Sequence, residues 1–247
     1  MNPESTPDFA SLPQSSRQLL LEGQTILLVT SYHVSTSESN HQKSVAEFVV
    51  PARRMRQLQE QSESMNCPCY IECPVLALKV ASPALARFLD AHPEAEKIEV
   101  NMGCVLPGFL MDVLHWYCNA LYESSWTDYF SNGFSETYIE REVRQFYLYG
   151  HTCMRALGMD SFANKLLPVI QPLVNEHSDY VPTLPIKSIV SSTSLHDPLL
   201  RLIAQRLAYL ASKQESPITV QVGGDIAQRF PHFADMLNEA LMTALSI

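Results

Sequence analysis

The scarcity and spacing of glycine limit the folds that this chain can adopt. Only 8 of its 247 residues are glycine, about half of the roughly 7% expected on average. Nucleotide-binding loops need glycines at fixed short intervals, because the backbone must approach the phosphates closely. No group of glycines here has the spacing G-x-G-x-x-G or G-x-x-x-x-G-K-[ST]. The sequence therefore argues against the usual dinucleotide and ATP enzymes, and we expect no cofactor.

The charge balance argues against nucleic-acid and membrane partners. Acidic residues outnumber basic ones by 26 to 17, whereas nucleic-acid binding depends on many Lys and Arg side chains that neutralise phosphates. The densest basic stretch, Arg53, Arg54 and Arg56, favours a solvated helix face. The apolar segment at residues 25–29 is far shorter than the about 18 residues of a membrane span. We expect a cytoplasmic or nuclear protein whose cysteines are thiols.

The first half of the chain is predicted to mix short strands with helices. Apolar runs typical of buried strands occupy residues 24–29, 45–50, 75–80 and 97–100. The first two runs suggest a hairpin with a long loop. Ser82 followed by Pro83 predicts a helix start, since serine caps the end and proline suits the first turn. This helix should reach Ala91, and a second, apolar on two faces, should run from Pro107 to Tyr122.

The second half is predicted to be almost entirely helical. Helices are expected at residues 136–157, from residue 160 onward, from residue 198 onward and over residues 225–245. Gly158 is placed to end the first of these helices. Asp197, which precedes Pro198, has the position and chemistry of an N-terminal cap.

These patterns predict an α+β fold in three sections. Residues 1–16, rich in proline, serine and threonine, are expected to form a disordered N-terminal arm. Residues 17–125 should form the α+β domain, a short sheet capped by helices, with an insertion at about residues 52–74. Residues 126–247 should form a mainly helical extension.

The order strand, strand, serine-led helix, strand and long aromatic helix resembles the BTB/POZ domain family, in the variety common in filamentous fungi. The matching stretches of the domain are EFVVPARRM from residue 47, LALKVASPALARFLDA from residue 76, KIEV from residue 97 and VLPGFLMDVLHWYCNALYES from residue 105. The extension adds LYGHTCMRALGMDSFANKLLPVI from residue 148 and IVSSTSLHDPLLRLIAQRLA from residue 189. The resemblance covers most of residues 24–212.

The resemblance implies a non-enzymatic protein–protein interaction module, an adaptor or scaffold that forms a homodimer. It implies an interface made by apolar residues of the first strand and the early helix. Family members also bind a cullin scaffold or a transcriptional regulator, so both are expected partner classes. Two alternatives remain open: an enzyme of unfamiliar type with a site between the two halves, and a regulatory or effector-like protein that reuses the fold without cullin partners.

Three cysteines form the one cluster with metal-ligand chemistry. Cys67, Cys69 and Cys73 have the spacing C-x-C-x₃-C. A zinc site uses four ligands, normally in closely spaced pairs, so a fourth would have to come from elsewhere, for example His92 or Cys104. The alternatives are redox-sensitive surface thiols and ordinary cysteines in a variable insertion, and the last is favoured.

Other candidate residues have structural explanations at this stage. Ser194, His196 and Asp197 have the residue types of a catalytic triad, but sequence neighbours cannot adopt the geometry that a triad needs. His151 is interpreted as a satisfied or exposed histidine rather than a base. Trp116, beside His115 and Tyr117, could stack on a ligand, but its apolar helix favours core packing.

A possible interaction surface lies just beyond the predicted α+β domain. Trp126, Tyr129 and Phe130 fall in a predicted loop. Exposed aromatic side chains in a loop can anchor a protein partner. The same residues can equally pack back over the domain, and the sequence leaves both possibilities open.

Overall fold

A computed structural model describes residues 12–31, 48–49, 70–101, 107–122, 140–175, 189–190, 193, 196–213, 225–226 and 228–245. The fold is mixed α+β and mostly helical. Its strands are β1 (Thr25–Ser31), β2 (Phe48–Val49), β3 (Tyr70–Pro74) and β4 (Lys97–Asn101). Its helices are α1 (Gln14–Leu19), α2 (Val75–Ala81), α3 (Pro83–Ala91), α4 (Pro107–Tyr122), α5 (Glu140–Ala156), α6 (Asp160–Asn175), α7 (Pro198–Ser212) and α8 (Pro231–Leu245).

The strands form one small sheet with the order β2-β4-β1-β3. The central strand β1 runs antiparallel to β3, with Thr25 opposite Pro74, and parallel to β4. A parallel pair needs a crossover connection, and the chain from β1 to β4 includes β3, α2 and α3. Apolar strand residues are buried in the core: Ile26, Leu28, Ile71, Cys73, Ile98 and Val100.

Three expectations about the strands are wrong. The run at residues 24–29 does not form a hairpin with the run at residues 45–50, because β1 pairs with β3 and β4, while β2 pairs with β4. Residues 75–80 lie in helix α2 and not in a strand. A short apolar run suits either structure. The expected insertion at residues 52–74 also extends too far, because its end forms β3.

Local helix signals were predicted correctly. Ser82 accepts a hydrogen bond from the Leu85 N–H at 3.0 Å, and the helix ends at Ala91 as expected. Helix α4 has the predicted bounds. Gly158 has a φ of +68°, the left-handed backbone that favours glycine at the end of a helix. The Asp197 carboxylate accepts from the Leu199 N–H at 2.8 Å.

Helix α1 closes the C-terminal end of α4. The sequence predicted a disordered arm through residue 16, whereas α1 begins at Gln14. The buried Arg17 donates from Nη1 to the Ala120 carbonyl at 3.3 Å, and Gln14 and Gln18 donate to the Tyr122 carbonyl at 3.3 and 3.4 Å. The last carbonyls of a helix lack partners within that helix. These three side chains therefore satisfy part of the exposed end of α4.

One hydrophobic core includes residues from the sheet and from the helical half. Helix α4 contacts α5, α5 contacts α6, and α7 packs between α6 and α8. Tyr117, fully buried, donates its hydroxyl to the Ala77 carbonyl at 2.9 Å and joins α4 to α2. In α6, Phe162, Leu166 and Ile170 are buried, whereas Val169 is exposed.

The Ser82 cap gives a test of the fold. Ser82→Ala should lower the free energy of unfolding by about 1 kcal/mol, because the Leu85 N–H loses its acceptor at a buried helix start. Urea denaturation followed by circular dichroism measures this loss. The control is Ser212→Ala, which removes an exposed hydroxyl bonded to the Tyr209 carbonyl. Equal losses for the two variants would contradict the assignment of the cap.

Candidate functional site

The structure describes only one of the three cysteines of the predicted cluster. Cys67 and Cys69 lie outside the described residues, whereas Cys73 is buried in β3. Burial raises the pKa of Cys73 to about 12, with smaller contributions from Cys118 and Glu72. A thiol that stays protonated is a poor nucleophile and a poor metal ligand. The interpretation of Cys73 as an ordinary residue of a variable insertion is corrected, because it is a core residue of the sheet.

The proposed partners of that cluster give no metal site in the described part of the chain. His92 stacks on Phe88, with ring centroids 4.5 Å apart, and its Nδ1 lies 2.9 Å from the Phe88 carbonyl oxygen. Cys104 lies outside the described residues. Where residues are described, no group of three or more His, Cys, Asp or Glu side chains is arranged to hold a metal ion.

The predicted aromatic surface falls in a part of the chain that the structure does not describe. Trp126, Tyr129 and Phe130 all lie outside the described residues. The other aromatic candidate is explained by packing: Trp116 is half-buried and meets the edge of Phe162 with ring centroids 6.0 Å apart. Its neighbour Tyr117 is buried against the same ring. The expectation that Trp116 packs in the core is therefore supported.

A polar cluster inside the helical half brings together residues from two helices. His151 and Arg155 lie on α5, and Asp197 caps the start of α7. Arg155 Nε lies 2.8 Å from Asp197 Oδ2, and His151 Nε2 lies 3.7 Å from Asp197 Oδ1. The side chains of His151 and Asp197 are 0% and 3% exposed. The three residues form the most deeply buried concentration of ionisable groups among those described.

Arg155 extends this cluster to a third helix. Its Nη1 donates to Asp160 Oδ1 at 2.7 Å, and its Nη2 donates to Asn164 Oδ1 at 2.6 Å. Asp160 and Asn164 lie in the first turns of α6. One guanidinium therefore joins the end of α5 to the starts of α6 and α7, using the planar set of N–H groups that lysine lacks.

The electrostatics of the cluster follow from burial. Burial lowers the pKa of His151 from 6.5 to about 3, and the positive charge of Arg155 acts in the same direction. Burial also raises the pKa of Asp197, but Arg155 and the Leu199 N–H oppose that rise. Near pH 7, the arrangement is a neutral imidazole beside a carboxylate that is paired with arginine.

His151 has neither the exposure nor the contacts of a catalytic base. Within the described structure, neither ring nitrogen has a hydrogen-bond partner, and no part of the side chain reaches solvent. A general base must come within hydrogen-bond reach of a substrate proton. The expectation of a satisfied or exposed histidine is corrected on both counts, because His151 is buried and its ring is not hydrogen-bonded.

The structure describes two of the three neighbouring triad-like residues. Ser194 lies outside the described residues, and His196 is exposed. Asp197 faces the core, where its partners are Arg155 and the Leu199 N–H. The interpretation of Asp197 as a cap is confirmed. The sequence analysis missed its second role as the ion-pair partner of Arg155.

No helix of the described part is long and apolar enough to span a membrane. A scan against protein-family models and searches of curated proteins and solved structures found no match to this chain.

The ion pair gives a quantitative test of this cluster. Arg155→Met should lower the free energy of unfolding by about 3 kcal/mol, because the buried Asp197 carboxylate loses its cation. The matched control is Lys79→Met, which breaks the Lys79–Asp90 pair, whose side chains are 30% and 68% exposed. That control should cost less than about 1 kcal/mol, as exposed ion pairs do. Equal costs in urea denaturation would contradict a buried clamp.

Protonation of His151 gives a second test. The unfolded chain binds this proton near pH 6.5, whereas the folded protein binds it only near pH 3. Folding stability should therefore fall as the pH drops from 6.5 towards 3, by at most about 1.4 kcal/mol per pH unit from this group. Asp197 acts in the opposite direction, because its raised pKa favours proton uptake by the folded state.

The His151→Gln variant isolates this contribution. Its free energy of unfolding should depend less steeply on pH than that of the wild type between about pH 6.5 and 4.5, where His151 titrates in the unfolded chain alone. Urea denaturation at several pH values measures both profiles. Parallel profiles over this range would show that His151 is not buried in its neutral form.

Proposed function

We propose that this protein is a non-enzymatic interaction module, a BTB/POZ-like adaptor or scaffold that self-associates. The observation that carries the proposal is the order of elements on which the resemblance depends. Strands β1, β2 and β3 precede the Ser82-led helix α3, and β4 and the aromatic helix α4 follow. Helices α5 to α8 add the helical extension. Strand β3 and helix α2 are additional elements between the second strand and α3.

The polar cluster supports this proposal over the enzyme alternative. An enzyme site between the two halves would need polar groups that converge on a space open to substrate. The convergent groups found in the described residues are His151, Arg155 and Asp197, and they face each other inside the protein. The shifted pKa values of His151 and Asp197 have a structural cause, which is burial around an ion pair.

The surface proposed for self-association lies where α1 meets the end of α4. Leu19 is 57% exposed and Tyr122 is 64% exposed. Gln18, the residue before Leu19, donates to the Tyr122 carbonyl, so the two apolar side chains belong to adjoining turns. We call them the Leu19–Tyr122 patch. The first strand is a poor source of interface side chains, because Ile26, Leu28 and Val29 are buried.

The second partner class in this proposal is a cullin scaffold or a transcriptional regulator. The proposed place of action is the cytoplasm, the nucleus or both. The regulatory or effector-like alternative differs in lacking the cullin contact. Binding measurements with a purified cullin separate the two. Binding that depends on the α+β half supports the adaptor, and absence of binding at micromolar concentration favours the alternative.

Self-association has a direct test in solution. Size-exclusion chromatography with light scattering should give a mass of about twice 27.8 kDa for the wild type. Leu19→Glu should shift the protein towards the monomer by raising the dissociation constant at least about tenfold, because it places a charge in an apolar contact. A monomeric wild type at micromolar concentration would overturn the self-association proposal.

The matched control for this experiment is Met242→Glu. Met242 is 69% exposed, but it lies on α8 and not in the Leu19–Tyr122 patch. This variant should keep the wild-type mass. Equal dissociation of the two variants would assign the effect to added negative charge rather than to the patch.

A further inference from the structure

Helix α7 differs from the rest of the chain in its charge. Acidic residues outnumber basic ones in the whole sequence, and the net charge is −9. From Pro198 to Lys213, however, the charged residues are Arg201, Arg206 and Lys213, with no Asp or Glu. Arg201 and Lys213 are exposed and Arg206 is buried, so the helix presents two exposed cations and no acidic side chain of its own. Such a reversal favours association with a partner of negative charge.

The exposed part of α7 is a narrow stripe. The helix buries eight residues against α6 and α8: Leu199, Leu200, Ile203, Ala204, Arg206, Leu207, Ala208 and Leu210. The exposed residues Arg201, Gln205, Tyr209 and Lys213 follow one another at intervals of four. Residues four apart are neighbours on a helix surface. We call this set the α7 stripe.

Two cations lie close to the ring of Tyr209 at the C-terminal part of the stripe. The Arg206 guanidinium carbon lies 5.3 Å and the Lys213 ammonium 5.9 Å from the centroid of its ring. These cation–π contacts restrict the side chains before any partner arrives, which lowers the entropy cost of binding. Tyr209 remains 43% exposed. Tyrosine and arginine are also the residue types most often found at the energetic centres of interfaces.

We propose that the α7 stripe binds an acidic, amphipathic helical segment of a partner protein. The spacing defines the partner: Arg201 and Lys213 are 12 residues apart, or about 18 Å along the helix. A matching segment has carboxylates near both ends and an apolar side chain between them, against Tyr209. The proposal rests on the role as an interaction module, and it assigns the helical extension to a partner other than a second copy.

The test uses a labelled peptide and fluorescence anisotropy. The probe is a fluorescein-labelled helical peptide of about 16 residues, long enough to span the stripe, with Glu near both ends and Leu at its centre. The comparison peptide has Gln in place of every Glu. The full-length protein should bind the Glu peptide at least about tenfold more tightly at low salt, and the difference should shrink as salt is added.

Variants of the stripe locate the contact. Arg201→Glu and Lys213→Glu should each weaken binding of the Glu peptide about tenfold, because each replaces an attraction with a repulsion. The control, Lys165→Glu, makes the same change of charge at an exposed position of α6 and should change affinity less than about twofold. Tyr209→Ala should weaken binding of the Glu peptide more than Tyr209→Phe, since phenylalanine keeps the ring.

Three results would overturn the proposal: equal binding of the Glu and Gln peptides, equal effects of Lys165→Glu and Lys213→Glu, or tighter binding of a single-stranded RNA of the same charge. The variant Leu19→Glu separates this proposal from self-association. It should bind the Glu peptide as the wild type does, even when light scattering shows a monomer. Loss of peptide binding in this variant, together with the expected shift to the monomer, would contradict the α7 stripe alone.

Discussion

The buried carboxylate of Asp197 holds the helical half together. One oxygen accepts from the Leu199 N–H and caps α7, while the other lies 2.8 Å from Arg155 Nε. Through Arg155, the start of α7 is joined to the end of α5 and to the first turns of α6. A buried charge is tolerated only when it is paired and hydrogen-bonded. The positions of three helix ends are therefore coupled to a single ion pair.

His151 remains neutral beside this ion pair. Its ring lies 3.7 Å from the same carboxylate, too far for a hydrogen bond, and Arg155 holds the carboxylate in an ion pair. A second positive charge at this place would be buried beside Arg155, which explains the depressed pKa of His151. The cluster consequently favours one protonation state over a wide range of pH. That property suits a rigid scaffold better than a group that exchanges protons with a substrate.

The sequence predicts features that depend on neighbouring residues and misses those that depend on distant ones. The caps at Ser82, Gly158 and Asp197 are local signals, and the structure has all three. The segment of helix α2 was predicted as a strand, because a short apolar run fits both structures, and the segment of β3 was placed in an insertion. The pairing of Arg155 with Asp197 joins segments far apart in sequence, and no local pattern marks it.

Charge has opposite effects at the two surfaces proposed to bind partners. At a net charge of −9, two copies of the protein repel each other, so the proposed self-association would depend on apolar contact such as the Leu19–Tyr122 patch. At the α7 stripe charge would favour binding instead, because the cations of the stripe attract an acidic segment. The net negative charge of the rest of the protein repels the same segment. Added salt screens both effects. It should therefore strengthen the proposed contact between copies and weaken the proposed binding to an acidic segment, so the two interactions are distinguished by their opposite responses to salt.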